Sequence, residues 1–195
     1  MREYYDRRAP EYDASAYEAA DAAEVASLTA WVAGLAPGRV LDVACGTGYL
    51  TRFLRGEIVA LDQSRAMLAI ARERLPGAEL VRADVPPLPF EDHPFDRVFT
   101  GHFYGHLASV SDRERFVAEA LRVAPELVVV EQAWRLGLPH ETWERRELLD
   151  GSRHEVFKRY FRADELREEL HGEVALETPG VIALVARRSG RFRGM

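Results

Sequence analysis

Short apolar segments alternate with segments of helical periodicity through the middle of this chain. The apolar segments predict strands, and the segments between them predict amphipathic helices. The predicted strands are residues 39–44, 57–61, 78–82, 95–100 and 127–131, and the predicted helices are residues 48–54, 65–75 and 112–123. Strands joined by helices run parallel, so this order predicts an α/β fold with a doubly wound sheet and helices on both faces. Ligands bind beyond the carboxyl ends of the strands in such a sheet.

The segments on either side of this region add further elements. Leu28, Val32 and Leu35 lie at helical spacing within residues 14–35, which predicts a helix that ends before Pro37. Residues 132–161 are charged and aromatic, and they predict an insertion that contains one helix. The elements predicted after it are a helix at residues 163–170, strands at residues 174–177 and 181–186, and a basic tail at residues 189–195. Ser111 and Glu114 predict a capping box for the helix at residues 112–123.

Charge and cysteine content narrow the classes of function. The 195 residues carry a formal net charge of -6, which disfavours a main role in binding nucleic acid. Cys45 is the only cysteine, so an intramolecular disulfide and a thiolate metal cage are excluded. No apolar run approaches the roughly 20 residues that cross a bilayer, and the N-terminus lacks a signal-peptide pattern. We therefore expect one domain in the cytoplasm, with no membrane partner.

The sharpest motif is a glycine-containing loop in the run VLDVACGTGYLTRFL. Gly46 and Gly48 follow a predicted strand and precede a predicted helix, and glycine lets the backbone turn tightly and approach a ligand. The free N–H groups at the start of the helix would face the same space, which predicts a site for an anionic or polar ligand. A dinucleotide-binding loop would place a third glycine where Thr51 stands, so the motif disfavours NAD and FAD.

Two acids follow the next two predicted strands. Asp62 ends the apolar run in VALDQS, where a carboxylate can accept hydrogen bonds from both hydroxyls of a ribose. Asp84 follows the third predicted strand, at the height expected for an adenine. Each acid alone could be a solvated residue at the end of a strand. Together with the glycine loop, at one edge of one sheet, they indicate a ligand that contains a nucleoside.

In order and spacing, the runs VLDVACGTGYLT, VALDQS, ADVPPLPF and FDRVFTGHFYGHL resemble the class I S-adenosylmethionine-dependent methyltransferases. The resemblance continues through KRYFRADELREEL to VIALVARR and so covers essentially the whole chain. The leader YYDRRAPEYD is similar to that of the small-molecule branch, which includes the ubiquinone and menaquinone methyltransferases. The resemblance implies a Rossmann-like, seven-stranded, mostly parallel sheet and S-adenosylmethionine as the cofactor.

The same resemblance implies a division of the single domain into segments. These are an N-terminal helical cap at residues 1–36, a cofactor-binding core at 37–131, an insertion over the acceptor site at 132–161, a C-terminal helix with strands at 162–188, and a tail at 189–195. It also implies contacts along the cofactor. From the methionine part through the ribose to the adenine, these contacts are Asp42, Ala44, Gly46 and Gly48, then Asp62, then Gln63, Met67, Asp84 and Val85. Tyr12 would close the site from the leader.

Methyl transfer from a sulfonium is an in-line displacement, so the main task of such an enzyme is to position the nucleophile. A hydroxyl or a protonated amine as the acceptor also requires a general base. His102 lies at the end of the fourth predicted strand, and we expect it to act as the base or to orient the acceptor. His106 is expected to have a packing role.

Aromatic and histidine residues further along the chain are candidates for the acceptor pocket. Tyr104 would form a wall, and residues of the insertion would line or cover an apolar acceptor. The insertion residues concerned are Trp134, His140, Trp143 and His154. Packing of the core, or of the insertion onto the domain, is the alternative for all of them. The histidine spacing is not specific for a metal, so no metal is expected.

Three functions are compatible with these residues, and methylation of an oxygen or nitrogen of a small molecule is favoured. Methylation of RNA or protein would predict a basic or extended groove, and an Asn-Pro-Pro-Tyr run in place of Thr100, Gly101 and His102. A protein that binds the cofactor without turnover would carry the same binding residues. The identity of the acceptor and the oligomeric state do not follow from the sequence, because a fold does not fix its substrate.

Overall fold

The computed structural model describes residues 1–188, so the predicted tail at residues 189–195 lies outside the described residues. The strands are β1 Gly38–Val43, β2 Gly56–Asp62, β3 Glu79–Arg82, β4 Arg97–Gly101, β5 Glu126–Gln132, β6 Glu141–Glu147, β7 Arg153–Arg159, β8 Glu173–Glu177 and β9 Val181–Arg187. The α-helices are α1 Arg2–Arg8, α2 Ala22–Gly34, α3 Arg65–Arg74, α4 Val110–Val123 and α5 Ala163–Leu170. No helix within residues 1–188 is long and apolar enough to cross a membrane.

One seven-stranded sheet organises the molecule, in the order β3-β2-β1-β4-β5-β9-β8. Strands β1 to β5 are parallel, whereas β9 pairs antiparallel with both β5 and β8. The predicted fold, a doubly wound and mostly parallel sheet, is therefore confirmed. The order reverses between β1 and β4, where successive crossovers leave the sheet in opposite directions and open a crevice at the carboxyl ends.

Successive side chains of the central strands point to opposite faces of the sheet, so the hydrophobic core has one part on each face. Leu41, Val98 and Val129 are fully buried on one face, which α4 and α5 cover with Phe116 and Leu166. Their neighbours along the same strands point to the other face, which α2 covers. The residues of that second face include Val40, Phe99, Val128 and Val130, with Leu28 and Val32 from α2. Burial on both faces explains why these strands are continuous apolar runs in the sequence.

Three predicted helices differ from the structure near their N-termini. The helix at residues 14–35 is interrupted at Asp21, whose carboxylate accepts hydrogen bonds from the N–H groups of Ala23 and Glu24 and so begins α2 there. The predicted cap Ser111 is wrong, because Ser109 accepts the hydrogen bond of the Asp112 N–H at 3.0 Å and α4 begins two residues earlier. The helix at residues 48–54 is a single 3₁₀ turn, Thr51–Phe53, because Gly48 has a φ of +76°, outside the helical region, and the chain still turns there.

The helix predicted within residues 132–161 is also wrong, because β6 and β7 form an antiparallel hairpin there. Trp143, Arg145 and Glu147 point to solvent, and the residues between them are turned inward. The inward residues of β6 are themselves polar, namely Thr142, Glu144 and Arg146. Charges on both faces of the strand therefore conceal the period of two by which a strand is recognised in a sequence.

Gly48 stands where the chain turns from the β1 loop towards the 3₁₀ turn. Its φ is +76°, a region that residues with a Cβ rarely adopt, and its N–H donates to the Cys45 carbonyl oxygen at 2.9 Å. A Cβ at this position would lie 2.8 Å from Cδ1 of Leu75, just beyond α3. Glycine at this position therefore lets the loop pack closely against α3.

We predict that Gly48→Ala lowers the free energy of unfolding by about 1 to 3 kcal/mol, through backbone strain and the contact with Leu75. Thermal or urea unfolding followed by circular dichroism measures this. Gly77→Ala is the matched control, because a Cβ there meets nothing within 4 Å. Equal stability of the two variants would contradict the prediction.

Candidate active site

A cavity, which we call the front cavity, opens at the carboxyl ends of β1, β2 and β4. The structure brings most of the predicted site residues together around it. Those that line it are Tyr12, Ala44, Gly46, Asp62, Gln63, Met67, Asp84, Val85 and His102. Tyr5, Phe103 and Leu107 also line it and were missed by the sequence analysis. Tyr5 and Tyr12 are seven residues apart and therefore share one helical face, a signal that the leader already carried.

Asp62 is the acid at the end of β2, and only 7% of it is exposed. Its Oδ2 accepts the Gly46 N–H at 2.9 Å, and its Oδ1 accepts the Ser64 N–H at 2.8 Å. Burial raises the pKa of Asp62, and these backbone hydrogen bonds act in the opposite direction. Each carboxylate oxygen has a further lone pair, so the side chain can hold the loop and still accept hydrogen bonds from a ligand.

Several hydrogen bonds and an ion pair hold the leader against the glycine loop. Asp13 accepts a hydrogen bond from the Thr47 hydroxyl at 2.6 Å and pairs with Arg74 of α3, also at 2.6 Å. Asp6 accepts a hydrogen bond from the Ser64 hydroxyl at 2.6 Å. These contacts hold the leader, including Tyr12, against the cavity. The carboxylate of Asp84 is paired with Arg2 at the edge of the same cavity.

Asp42 and Gly48, which were predicted to line the methionine part of the cofactor, do not line the front cavity. Asp42 is 2% exposed, and its carboxylate accepts the Thr51 hydroxyl at 2.6 Å. Burial raises the pKa of Asp42 to about 7, against the effect of the Thr51 hydrogen bond. Asp42 lies on a smaller cavity beneath the loop, beside the stacked rings of Tyr17 and Tyr49.

His102 follows β4 in an uncommon backbone conformation, with φ at +58°. Its Nδ1 is buried and has no hydrogen-bond partner among residues 1–188. Burial, with Lys158 and His106 nearby, lowers the pKa of His102 to about 3, so the ring is neutral near neutral pH. Nδ1 of His106, in contrast, lies 2.7 Å from the Phe157 carbonyl oxygen and must donate to it.

A second cavity, which we call the rear cavity, lies behind these two histidines. It shares Tyr5, Tyr12, His102 and His106 with the front cavity, so the two cavities meet across those side chains. Its other walls come from the leader, from α2 and from the β6–β7 hairpin.

The other residues predicted for the acceptor lie outside both cavities. Tyr104 is in the core, where its hydroxyl donates to Glu169 at 2.7 Å. Trp134 lies in a separate surface groove and stacks on His140. His154 packs edge-on against Tyr4. Trp143, the other insertion residue predicted to line or cover the acceptor, is 62% exposed. Within residues 1–188 no group of three or more histidine, cysteine or carboxylate side chains is arranged to hold a metal ion.

A reversed strand order with a ribose-type acid at the end of β2 and a glycine loop after β1 defines a nucleoside-binding α/β fold. The chain matches the family model described as a methyltransferase domain over residues 40–126. It is similar over 97% of its length to the DhpI-SAH complex structure, with 32% identity, a TM-score of 0.78 and 95% of that chain covered.

Two curated relatives agree with this comparison. The chain is 42% identical over 95 residues to phthiotriol/phenolphthiotriol dimycocerosates methyltransferase 1 of Mycobacterium ulcerans, a match that covers 44% of this chain and 33% of the relative. It is 35% identical over 142 residues to a demethylmenaquinone methyltransferase of Renibacterium salmoninarum, which covers 65% of this chain and 56% of the relative. The matches thus span from a third to just over half of these relatives.

The chain belongs to the class I S-adenosylmethionine-dependent methyltransferases, and S-adenosylmethionine is its cofactor. The front cavity fits this molecule. A Cβ on Gly46 would meet only the ring of Tyr12, at 4.0 Å, so the loop presents an open backbone surface at φ +57°. The acids at its rim and beneath its loop suit a ligand that carries a positively charged sulfonium.

We predict that Asp62→Ala weakens the binding of S-adenosylmethionine by about 1.5 to 3 kcal/mol, because charge-assisted hydrogen bonds are lost. The dissociation constant should then rise about 10- to 150-fold in a calorimetric titration. Asp92→Ala is the control, since the Asp92 side chain is 70% exposed and pairs with Arg122. An unchanged dissociation constant in a folded Asp62→Ala protein would contradict this role.

Proposed function

We propose that this chain transfers a methyl group from S-adenosylmethionine to an oxygen or nitrogen of a small-molecule acceptor by in-line displacement. The observation that carries the proposal is the meeting of the front and rear cavities at His102. When bound, S-adenosylmethionine supplies an electrophilic methyl carbon on a sulfonium. Side chains at the junction of the two cavities are suited to hold a nucleophile close to that carbon.

The residues around the front cavity would divide into groups along the bound cofactor. Ala44 and Gly46 would hold the methionine part, with Asp42 supporting the loop from below through Thr51. Asp62 would hold the ribose. The adenine would lie among Gln63, Met67, Asp84 and Val85. Tyr12 would separate the cofactor from bulk water on the side of the leader.

The walls of the rear cavity favour a small acceptor over a polymer. The leader covers one side of the rear cavity and the β6–β7 hairpin covers another. The cavity is therefore a pocket and not an open groove along the surface. The negative net charge of the chain also disfavours nucleic acid as the acceptor. The cytoplasmic location stays a prediction.

His102 is proposed to orient the acceptor. A base with a pKa of about 3 takes up a proton poorly near neutral pH, but its neutral ring can accept a hydrogen bond from a hydroxyl or an amine. The unpartnered Nδ1 supports this role, because a buried polar atom without a partner is costly unless a ligand satisfies it. The hydrogen bond would direct a lone pair of the acceptor towards the methyl group. The acceptor would bond to the methyl carbon as the carbon–sulfur bond breaks, with S-adenosylhomocysteine as the leaving product, and the proton of its hydroxyl or amine would pass to solvent.

The activity is tested by incubating the purified chain with S-adenosylmethionine and a low-molecular-weight cell extract, and measuring S-adenosylhomocysteine by chromatography. We expect product that depends on both the chain and the extract. The cofactor-binding variant Asp62→Ala should form far less. Tight cofactor binding without product from any extract would contradict the enzymatic function and favour a binding protein.

We predict that His102→Asn lowers the rate of S-adenosylhomocysteine formation about 100-fold, because the acceptor loses its orientation. Asparagine tolerates the positive φ, so the loop should keep its path. The dissociation constant of S-adenosylmethionine should change less than about threefold, because His102 is proposed to hydrogen-bond to the acceptor and not to the cofactor. His140→Asn, outside both cavities, serves as the control. Full activity of His102→Asn would remove His102 from the mechanism.

A further inference from the structure

The rear cavity is lined by basic side chains that come from separate parts of the chain. Arg8 belongs to the leader helix α1, Arg146 to β6 and Lys158 to β7, and Arg135 lies at the exposed rim. Lys158 is the only lysine in the protein. Residues so distant in the sequence meet only because the leader and the hairpin cover the same end of the sheet.

Two of these cations have no carboxylate partner among the residues that the structure describes. Arg8 is 9% exposed, and its guanidinium donates to the Ser15 hydroxyl at 2.9 Å and lies 4.7 Å from the centre of the Tyr12 ring. Lys158 is partly buried, with its ammonium 5.5 Å from the centre of the Tyr160 ring. Neither forms an ion pair within residues 1–188. Burial and the neighbouring Arg146 lower the pKa of Lys158 to about 8.

The acids around the cavity do not neutralise this charge. Glu144 is engaged by Arg146, whose Nε donates to it at 3.0 Å, and by the Tyr160 hydroxyl at 2.7 Å. Glu131 is buried and accepts the Gly105 N–H at 3.0 Å, and burial raises its pKa to about 7. Glu24 of α2 is the acid on the cavity wall itself. An excess of positive charge therefore faces an enclosed space, which is costly without an anion.

We propose that the rear cavity binds an anionic group of the methyl acceptor, a carboxylate or a phosphate-type oxyanion, through Arg8, Arg146 and Lys158. This inference rests on the proposed function and narrows its acceptor to anionic small molecules. Guanidinium and ammonium groups form strong charge-assisted hydrogen bonds with such oxyanions. Anchoring at that end would leave the nucleophilic oxygen or nitrogen of the acceptor beside His102, at the junction with the front cavity.

Binding of a simple anion tests the site without knowledge of the acceptor. The protein saturated with S-adenosylhomocysteine is melted in phosphate, in acetate and in chloride at constant ionic strength, since a ligand of the folded state raises the melting temperature. We expect phosphate or acetate to raise it above the value in chloride. Phosphate also stabilises folded proteins without binding, so the part of the rise that is lost in the Lys158→Met variant identifies the oxyanion class. Equal melting temperatures in all three salts would overturn the proposal.

Variants of Lys158 separate an anion site from a structural role. Lys158→Met should weaken the apparent affinity for the anion about tenfold or more, and Lys158→Arg should retain most of it. In chloride, Lys158→Met should melt at a higher temperature than the unmodified chain, because an uncompensated charge is removed. Arg145→Met, an exposed cation on the same hairpin, is the matched control and should keep the anion response. An apparent anion affinity that is the same in Lys158→Met as in the unmodified chain would overturn the proposal.

The acceptor itself is tested by separating the low-molecular-weight extract on an anion-exchange column. We expect S-adenosylhomocysteine to form with the retained, anionic fraction, and to fall at least tenfold in Lys158→Met while its cofactor affinity is kept. Product from the unretained fraction alone would overturn the anionic acceptor and leave the proposed function intact. Product from no fraction would contradict the proposed function, and the melting experiment, which needs no acceptor, then decides the anion site.

Discussion

The buried carboxylate of Asp62 is the interaction on which the geometry of the site depends. Its two oxygens accept the N–H groups of Gly46 and Ser64, so one side chain fixes both the glycine loop and the start of α3. The Ser64 hydroxyl then donates to Asp6 and carries the constraint to the leader. A carboxylate is desolvated at this depth only when hydrogen bonds offset the cost. The hydrogen bonds that stabilise the buried Asp62 carboxylate therefore also fix the wall of the front cavity.

Opposite charges face the two cavities on either side of His102 and His106. Acids lie at the front, where Asp62 lines the cavity and Asp84, which is paired with Arg2, lies at its edge. Cations lie at the rear, where Arg8 and Lys158 have no carboxylate partner among the described residues. This arrangement matches a cationic donor and an anionic acceptor, and it would draw each reactant to its own side of the junction.

The predictability of each element followed from how its residues are buried. Strands β1, β2, β4 and β5 are covered on both faces, so their apolar runs were recognisable and their order gave the fold class. The hairpin strand β6 carries charges on both faces, and it lies in the segment at residues 132–161 that was predicted to contain a helix. The turn at Thr51–Phe53 was predicted as a longer helix, because local propensity does not report that Gly48 takes a positive φ.

The sequence by itself determined the fold class and the donor side of the site, because the glycine loop, Asp62 and Asp84 each follow a recognisable strand and parallel strands end at one edge. Only the tertiary structure decided which side chains face the acceptor. Tyr104 is close to His102 in the sequence and Trp134 belongs to the insertion, but both lie outside the two cavities. Arg8 and Lys158, in contrast, line the same cavity although 150 residues separate them. The leader and the hairpin are brought together by burial and hydrogen bonds that no local pattern encodes.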